Sequence, residues 1–126
     1  MIVLDTDVLI EIFDKHSRAG DEALRKILEK RDNIETTAIT LHEILYGLQK
    51  YAKSVPEILQ LPVLGYSKEE AILSVRLELG AEKAGTPVRR TDAMIAAVTI
   101  NNEAELFTFD LKHFEPLRAF GLRLLR

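Results

Sequence analysis

The stretch Met1-Ile2-Val3-Leu4-Asp5-Thr6-Asp7-Val8-Leu9-Ile10 decides the fold. Three consecutive apolar β-formers, Ile2 to Leu4, read as a short strand buried on both faces, and Asp5 ends it at once. Val8, Leu9, Ile12 and Phe13 then recur at helical spacing, so the strand runs straight into a helix. A strand followed without delay by a helix is the opening of a βαβ unit, and the rest of the chain repeats that alternation.

Working outward, a helical stripe resumes over Asp21 to Arg31 after a break between Lys15 and Gly20. Asn33 and the β-branched Ile34, Thr36, Thr37 and Ile39 predict a second strand. Thr40-Leu41-His42-Glu43 is a capping-box pattern, which places a helix start at Thr40 and Glu43 in its first turn. Leu59 to Leu64 reads as a third strand. Ser67-Lys68-Glu69-Glu70 is a second capping box, opening a long helix that closes at Gly85 ahead of Pro87. Thr91 to Ile100 is helical, Leu106 to Phe109 is a fourth strand, Leu111 to Phe114 a short helical turn, and Leu122 to Leu125 a fifth strand. Strands separated by helical crossovers predict an α/β fold with a central parallel sheet of four to five strands and helices on both faces.

Composition bounds the chemistry. The 126 residues are 47% apolar and 29% charged, enough for one ordinary domain spanning 1–126 with its own core. With no cysteine, disulfide scaffolds, thiolate metal sites and thiol nucleophiles are excluded, and a reducing cytoplasm is permitted. No basic, apolar leader precedes Asp5, and the longest later apolar run, Ala93 to Val98, is far too short for a membrane span, so a soluble cytoplasmic protein is expected. Seventeen basic residues against twenty acidic ones give −3, which argues against a broad basic face for nucleic acid. Setting four acids aside in a cation site turns that balance to +1, so net charge does not decide the partner.

In a parallel sheet, ligands bind beyond the carboxyl ends of the strands. Asp5 follows the first strand, Glu43 opens the helix after the second, and Asp110 follows the fourth, so a parallel sheet sets all three at one edge. Asp92, at a helix start, can project to that edge, and Asp7 is a further candidate. Each acid alone is also what a helix N-terminus uses, since it accepts bonds from free amides and opposes the macrodipole. Together they would repel strongly without a cation. Oxygen-only donors with no suitable histidine pair favour magnesium or manganese, which can supply a nucleophilic water and offset charge on phosphate oxygens. His16, His42 and His113 show no ligand spacing and read as surface or packing residues.

The segments Asp5-Thr6-Asp7-Val8-Leu9-Ile10, His42-Glu43-Ile44-Leu45-Tyr46-Gly47-Leu48, Asp92-Ala93-Met94-Ile95-Ala96-Ala97 and Thr108-Phe109-Asp110-Leu111-Lys112-His113-Phe114 resemble the PIN-domain ribonucleases, in particular the VapC toxins of toxin–antitoxin pairs. The resemblance runs through nearly the whole chain in family order. It implies a three-layer α/β/α sandwich and an endoribonuclease dependent on Mg2+ or Mn2+. By position it carries the acidic quartet onto Asp5, Glu43, Asp92 and Asp110, with Asp5 and Asp92 holding the metal and the other two completing the site through water or a second ion. Thr6, Asp7 and Thr108 match supporting positions, Asp7 standing where many members have Asn.

Arg89 and Arg90, which precede Asp92, and Lys112 with His113, which follow Asp110, are expected at the rim, where they would hold flanking RNA phosphates. The family resemblance further implies a homodimer and a cognate antitoxin that covers the toxin with an amphipathic segment. Phe13, Leu24, Leu28, Leu45, Leu48 and Tyr51 are candidates for those surfaces, with core packing the expected fate of each. Two other readings fit parts of the sequence. Asp5-Thr6-Asp7 is similar to the nucleophile motif of haloacid dehalogenase-type phosphatases, although Val8-Leu9 stands where that superfamily wants Gly-Thr. A non-catalytic RNA- or protein-binding PIN-like domain is the other.

Overall fold

A computed structural model describes residues 1–126. Its strands are β1 (Ile2–Leu4), β2 (Ile34–Thr37), β3 (Val63–Leu64), β4 (Glu105–Phe107) and β5 (Arg123–Leu124). They form one sheet in the order β3-β2-β1-β4-β5, and every neighbouring pair is parallel. β1 lies at the centre, with Val3 opposite Glu35 on one side and Leu106 on the other. The expected parallel sheet is therefore present, and its first strand is the one buried between two neighbours.

The helices are α1 (Thr6–Leu9), α2 (Arg18–Lys30), α3 (Ala38–Lys50), α4 (Pro56–Gln60), α5 (Lys68–Lys83), α6 (Arg90–Asn101) and α7 (Leu111–Phe114). α1 continues as a π-helical turn over Ile10–Asp14, and α7 as a 3-10 turn over Glu115–Phe120. Alternation along the strands divides the core in two. Ile2, Leu4, Phe107 and Leu125 face α1 to α4, packing on Val8, Leu9, Ile27, Ile44 and Ile58. Val3, Leu106 and Leu124 face the other way, onto Leu77 of α5, Ala93, Ala96 and Ala97 of α6, and Leu117. This is the three-layer α/β/α sandwich. The alanines let α6 lie close to the sheet, and Ile95 and Val98 are buried with them.

Several boundaries differ from those read along the chain. α3 begins at Ala38, because the side chain of Thr37, at the end of β2, accepts the Thr40 amide at 3.0 Å. Thr40 is therefore inside the helix, the Thr40–Glu43 pattern is no capping box, and Glu43 stands in the second turn. The Ser67–Glu70 box is present, with both reciprocal contacts made. β3 is only Val63–Leu64, since Leu59 lies in α4. β4 stops at Phe107, leaving Thr108 to Asp110 as a connection.

α2 starts at Arg18, capped by the Ser17 hydroxyl on the Gly20 amide at 3.0 Å. Gly20 is not a breaker. A side chain there would stand 2.1 Å from the Glu11 carbonyl oxygen, so glycine lets α2 lie against the π turn.

Among the apolar surface candidates, Leu48 is buried, while Phe13 and Leu45 are half-buried. Leu24, Leu28 and Tyr51 are not core residues: they are 39%, 66% and 70% exposed. Their helix faces look outward because Ala23, Ile27 and Leu48 already fill the layer beneath. No helix is long and apolar enough to cross a membrane.

Candidate active site

A pocket of about 220 Å³ opens at the carboxyl edge of the sheet, lined by Asp5, Thr6, Asp7, Glu43, Arg89, Asp92 and Asp110, with Ile10 and Thr91. Four separate segments supply its acids. β1 delivers Asp5 at its end, where one carboxylate oxygen caps α1 by accepting the Thr6 amide at 2.9 Å. The other accepts the Thr108 hydroxyl at 2.8 Å. Asp7, one residue into α1, reaches across to β4's end and accepts the Phe109 amide at 3.2 Å. Glu43 comes from α3 and lies 3.4 Å from the Thr6 hydroxyl. Thr36 of β2 helps hold β1 in place beside it, donating its buried hydroxyl to the Leu4 carbonyl at 2.9 Å.

Asp92 projects from the first turn of α6 and Asp110 from the start of α7. Arg89 bridges them: Nε donates to Asp92 Oδ2 at 2.8 Å and Nη2 to Asp110 Oδ2 at 3.0 Å. Thr108 accepts the Asp110 amide at 3.0 Å, so one hydroxyl steadies two acids. The remaining Asp110 oxygen lies 2.5 Å from His113 Nδ1.

The electrostatics are those of crowded negative charge. Asp5 is 8% exposed, and burial, reinforced by the nearby Asp7 charge, pushes its carboxyl up to about 7. Burial likewise raises Asp7 and Asp92, in Asp92 despite the opposing pull of Arg89. Glu43 is raised by partial burial and then by Asp92. Asp110 differs: burial works upward, but His113 and Arg89 outweigh it and the carboxyl falls below its ordinary range. Four acids at one edge resist ionisation together, which is the condition a multivalent cation relieves.

Every acid named from the sequence thus lines one pocket, and Thr6 and Thr108 support it. As the side chains stand, no three acidic or histidine groups have the spacing to hold one ion. Asp92 and Asp110 are instead turned onto Arg89. The donor set of carboxylate and hydroxyl oxygens fits a hard dication in its chemistry.

The expected rim of cations is only partly there. Arg89 is in the pocket, Arg90 is turned away onto Glu78 of α5 at 3.1 Å, and Lys112 is exposed on α7. His113, expected at the rim, lies there, but sequence reasoning missed its contact with Asp110. Its spacing of three from Asp110 is the signal, since one helical turn sets the two side chains side by side.

The chain matches the PIN domain model over residues 2–117. It is 30% identical to Ribonuclease VapC1 of Methanocaldococcus jannaschii over 128 residues, covering 98% of this chain and 85% of that protein. Among solved structures it is similar to VapBC2 from Rickettsia felis bound to a promoter DNA fragment (25% identity, TM-score 0.78, 99% of this chain and 98% of that one). It is also similar to DNA-bound VapBC from Salmonella typhimurium (28% identity, TM-score 0.77, 98% and 96%). The match to the PIN domain model over residues 2–117, with 30% identity to a VapC ribonuclease across 98% of the chain, fixes the assignment: the chain belongs to the PIN-domain family, among its VapC ribonucleases.

Proposed function

We propose that this protein is the toxin of a VapBC-type toxin–antitoxin pair, a Mg2+- or Mn2+-dependent endoribonuclease acting in the cytoplasm, with residues 1–126 as one nuclease domain. The observation that carries the reading is the gathering of Asp5, Asp7, Glu43, Asp92 and Asp110 around one pocket, with burial and mutual repulsion raising four of them. A dication bound there would supply a nucleophilic water at neutral pH and offset charge on the phosphoryl oxygens.

The chain's own residues have distinct parts. Asp5 and Asp92, the two buried acids, would hold the metal most directly, because their positions are fixed by β1 and by the packed α6. Glu43 and Asp110 would complete the site, through water or a second ion. The Thr108 hydroxyl orients Asp5, and the Phe109 amide ties Asp7 to the connection that follows β4. Partners are the RNA substrate, a cognate antitoxin and a second copy of the chain. The exposed Leu24, Leu28 and Tyr51 are the surfaces offered to protein partners.

The phosphatase reading fares worse. Val8 and Leu9 stand where its nucleophile motif wants Gly-Thr, and both are wholly buried in the core and not free to form a phosphate-binding loop. A purely binding domain has no use for acids buried against their own repulsion.

Incubating the protein with mixed RNAs, with and without Mn2+, tests the proposal. Cleavage requires the metal and falls by at least about two orders of magnitude in Asp5→Asn and Asp92→Asn. Metal-independent products, or products unchanged in both variants, overturn it.

A further inference from the structure

Arg89 is the one basic residue lining the acidic pocket. Its guanidinium spans acids carried by two different helices, with one N–H on Asp92 Oδ2 and another on Asp110 Oδ2. The two ends of the Asp92 pair are unlike. Asp92 is 7% exposed in its side chain, on a helix wedged into the core, whereas the Arg89 side chain is 58% exposed. Arg89 also stands just before α6, with extended backbone, so its side chain can swing out without unwinding a helical turn. The acid is fixed and the cation is the movable member. An ion pair with so exposed a cation is weak enough to exchange.

We propose that Arg89 is a built-in counter-ion which a divalent cation displaces on entering the pocket, and that the released guanidinium then binds a phosphate of the RNA strand. The inference rests on the metal-dependent nuclease reading above. It accounts for an otherwise awkward pairing of facts: an oxygen-rich pocket of the right chemistry, yet no three donors spaced to hold an ion. Two of the donors are engaged by Arg89. It also sets a coupling. Metal and Arg89 compete for the same carboxylates, so metal binding frees Arg89 for RNA, and RNA that captures Arg89 must strengthen metal binding by the same factor. A guanidinium suits both stations, because its planar fork pairs equally with carboxylate and phosphate.

Calorimetric titration of the RNA-free protein with Mn2+ tests this, using the wild type, Arg89→Gln, Arg89→Lys and Arg90→Gln. Arg89→Gln removes the competitor and tightens Mn2+ binding about tenfold. Arg89→Lys, which keeps the charge but loses the two-armed bridge, falls between. Arg90→Gln, whose partner Glu78 lies outside the pocket, leaves the affinity unchanged. At saturating Mn2+, Arg89→Gln raises KM for RNA severalfold with a smaller change in kcat. Unchanged or weakened Mn2+ binding in Arg89→Gln overturns the inference while leaving the nuclease reading in place. Absence of Mn2+ binding in all four proteins sinks both. Thermal melts identify a variant that has not folded, and Arg89→Lys then carries the comparison.

Discussion

Thr108 donates its hydroxyl to Asp5 Oδ2 across 2.8 Å, although 103 residues separate the two in sequence. Thr108 Oγ1 in turn accepts the Asp110 amide at 3.0 Å, so a single side chain ties the ends of two adjacent central strands to each other and to the pocket. Thr108→Val keeps the shape and removes both bonds. It lowers kcat for RNA cleavage by about 10–100-fold, as loss of an outer partner to a ligating carboxylate does. Thr108→Ser restores most of it. Steady-state kinetics on one RNA at saturating Mn2+ checks both.

The raised carboxyl of Asp5 makes metal-free stability depend on pH. Between the ordinary aspartate range and about 7, the folded protein holds a proton that the unfolded chain has released, so stability falls as pH rises through that window. Melting in the presence of a chelator should show Tm declining between pH 5 and pH 7, by roughly 5 °C or more. Asp5→Asn flattens the decline. Adding Mn2+ at pH 6 releases protons, measurable as buffer-dependent heat.

Gly20→Ala separates local propensity from packing. In an exposed helix interior the change gains about 1 kcal/mol. Here the new methyl meets the Glu11 carbonyl oxygen at 2.1 Å, so the π turn must move and the protein loses about 1–3 kcal/mol. Urea denaturation gives the sign directly.

The two starts assigned to α3 make opposite predictions. Thr37→Ala removes the side chain that accepts the Thr40 amide and costs about 1 kcal/mol. Glu43→Gln would also cost stability if Glu43 closed a capping box. Because it stands instead among repelling acids, Glu43→Gln leaves the metal-free protein as stable or more so, while cutting cleavage. Denaturant midpoints of the two variants decide.

Much of this architecture is legible in the residues. Ile2 to Leu4 reads as a buried strand because both faces are apolar. The Ser67–Glu70 box and the Gly85-Pro87 stop fix α5 because caps are local chemistry. Acids placed just after strands converge because parallel strands end at one edge. What the sequence hides is set by contacts between distant segments. Thr40 looked like a cap until Thr37, three residues earlier and also a threonine, took its amide. Gly20 looked like a break because the carbonyl it accommodates belongs to Glu11, in a different turn. The directions of Arg89 and Arg90 are unreadable from two adjacent arginines: one helical step sends the first to Asp92 and Asp110, the second to Glu78.

The burial of α6 has a mechanical consequence. Ala93, Ala96 and Ala97 are wholly enclosed, so Asp92 rides on a stave that cannot slide, and Asp5 is equally anchored by the central strand. Glu43 and Asp110 are more exposed, although the helices that carry them are anchored by Ile44 and Phe114. The pocket therefore sets two enclosed acids against two that stand nearer solvent, and whatever adjustment a ligand demands falls to the side chains of the latter pair.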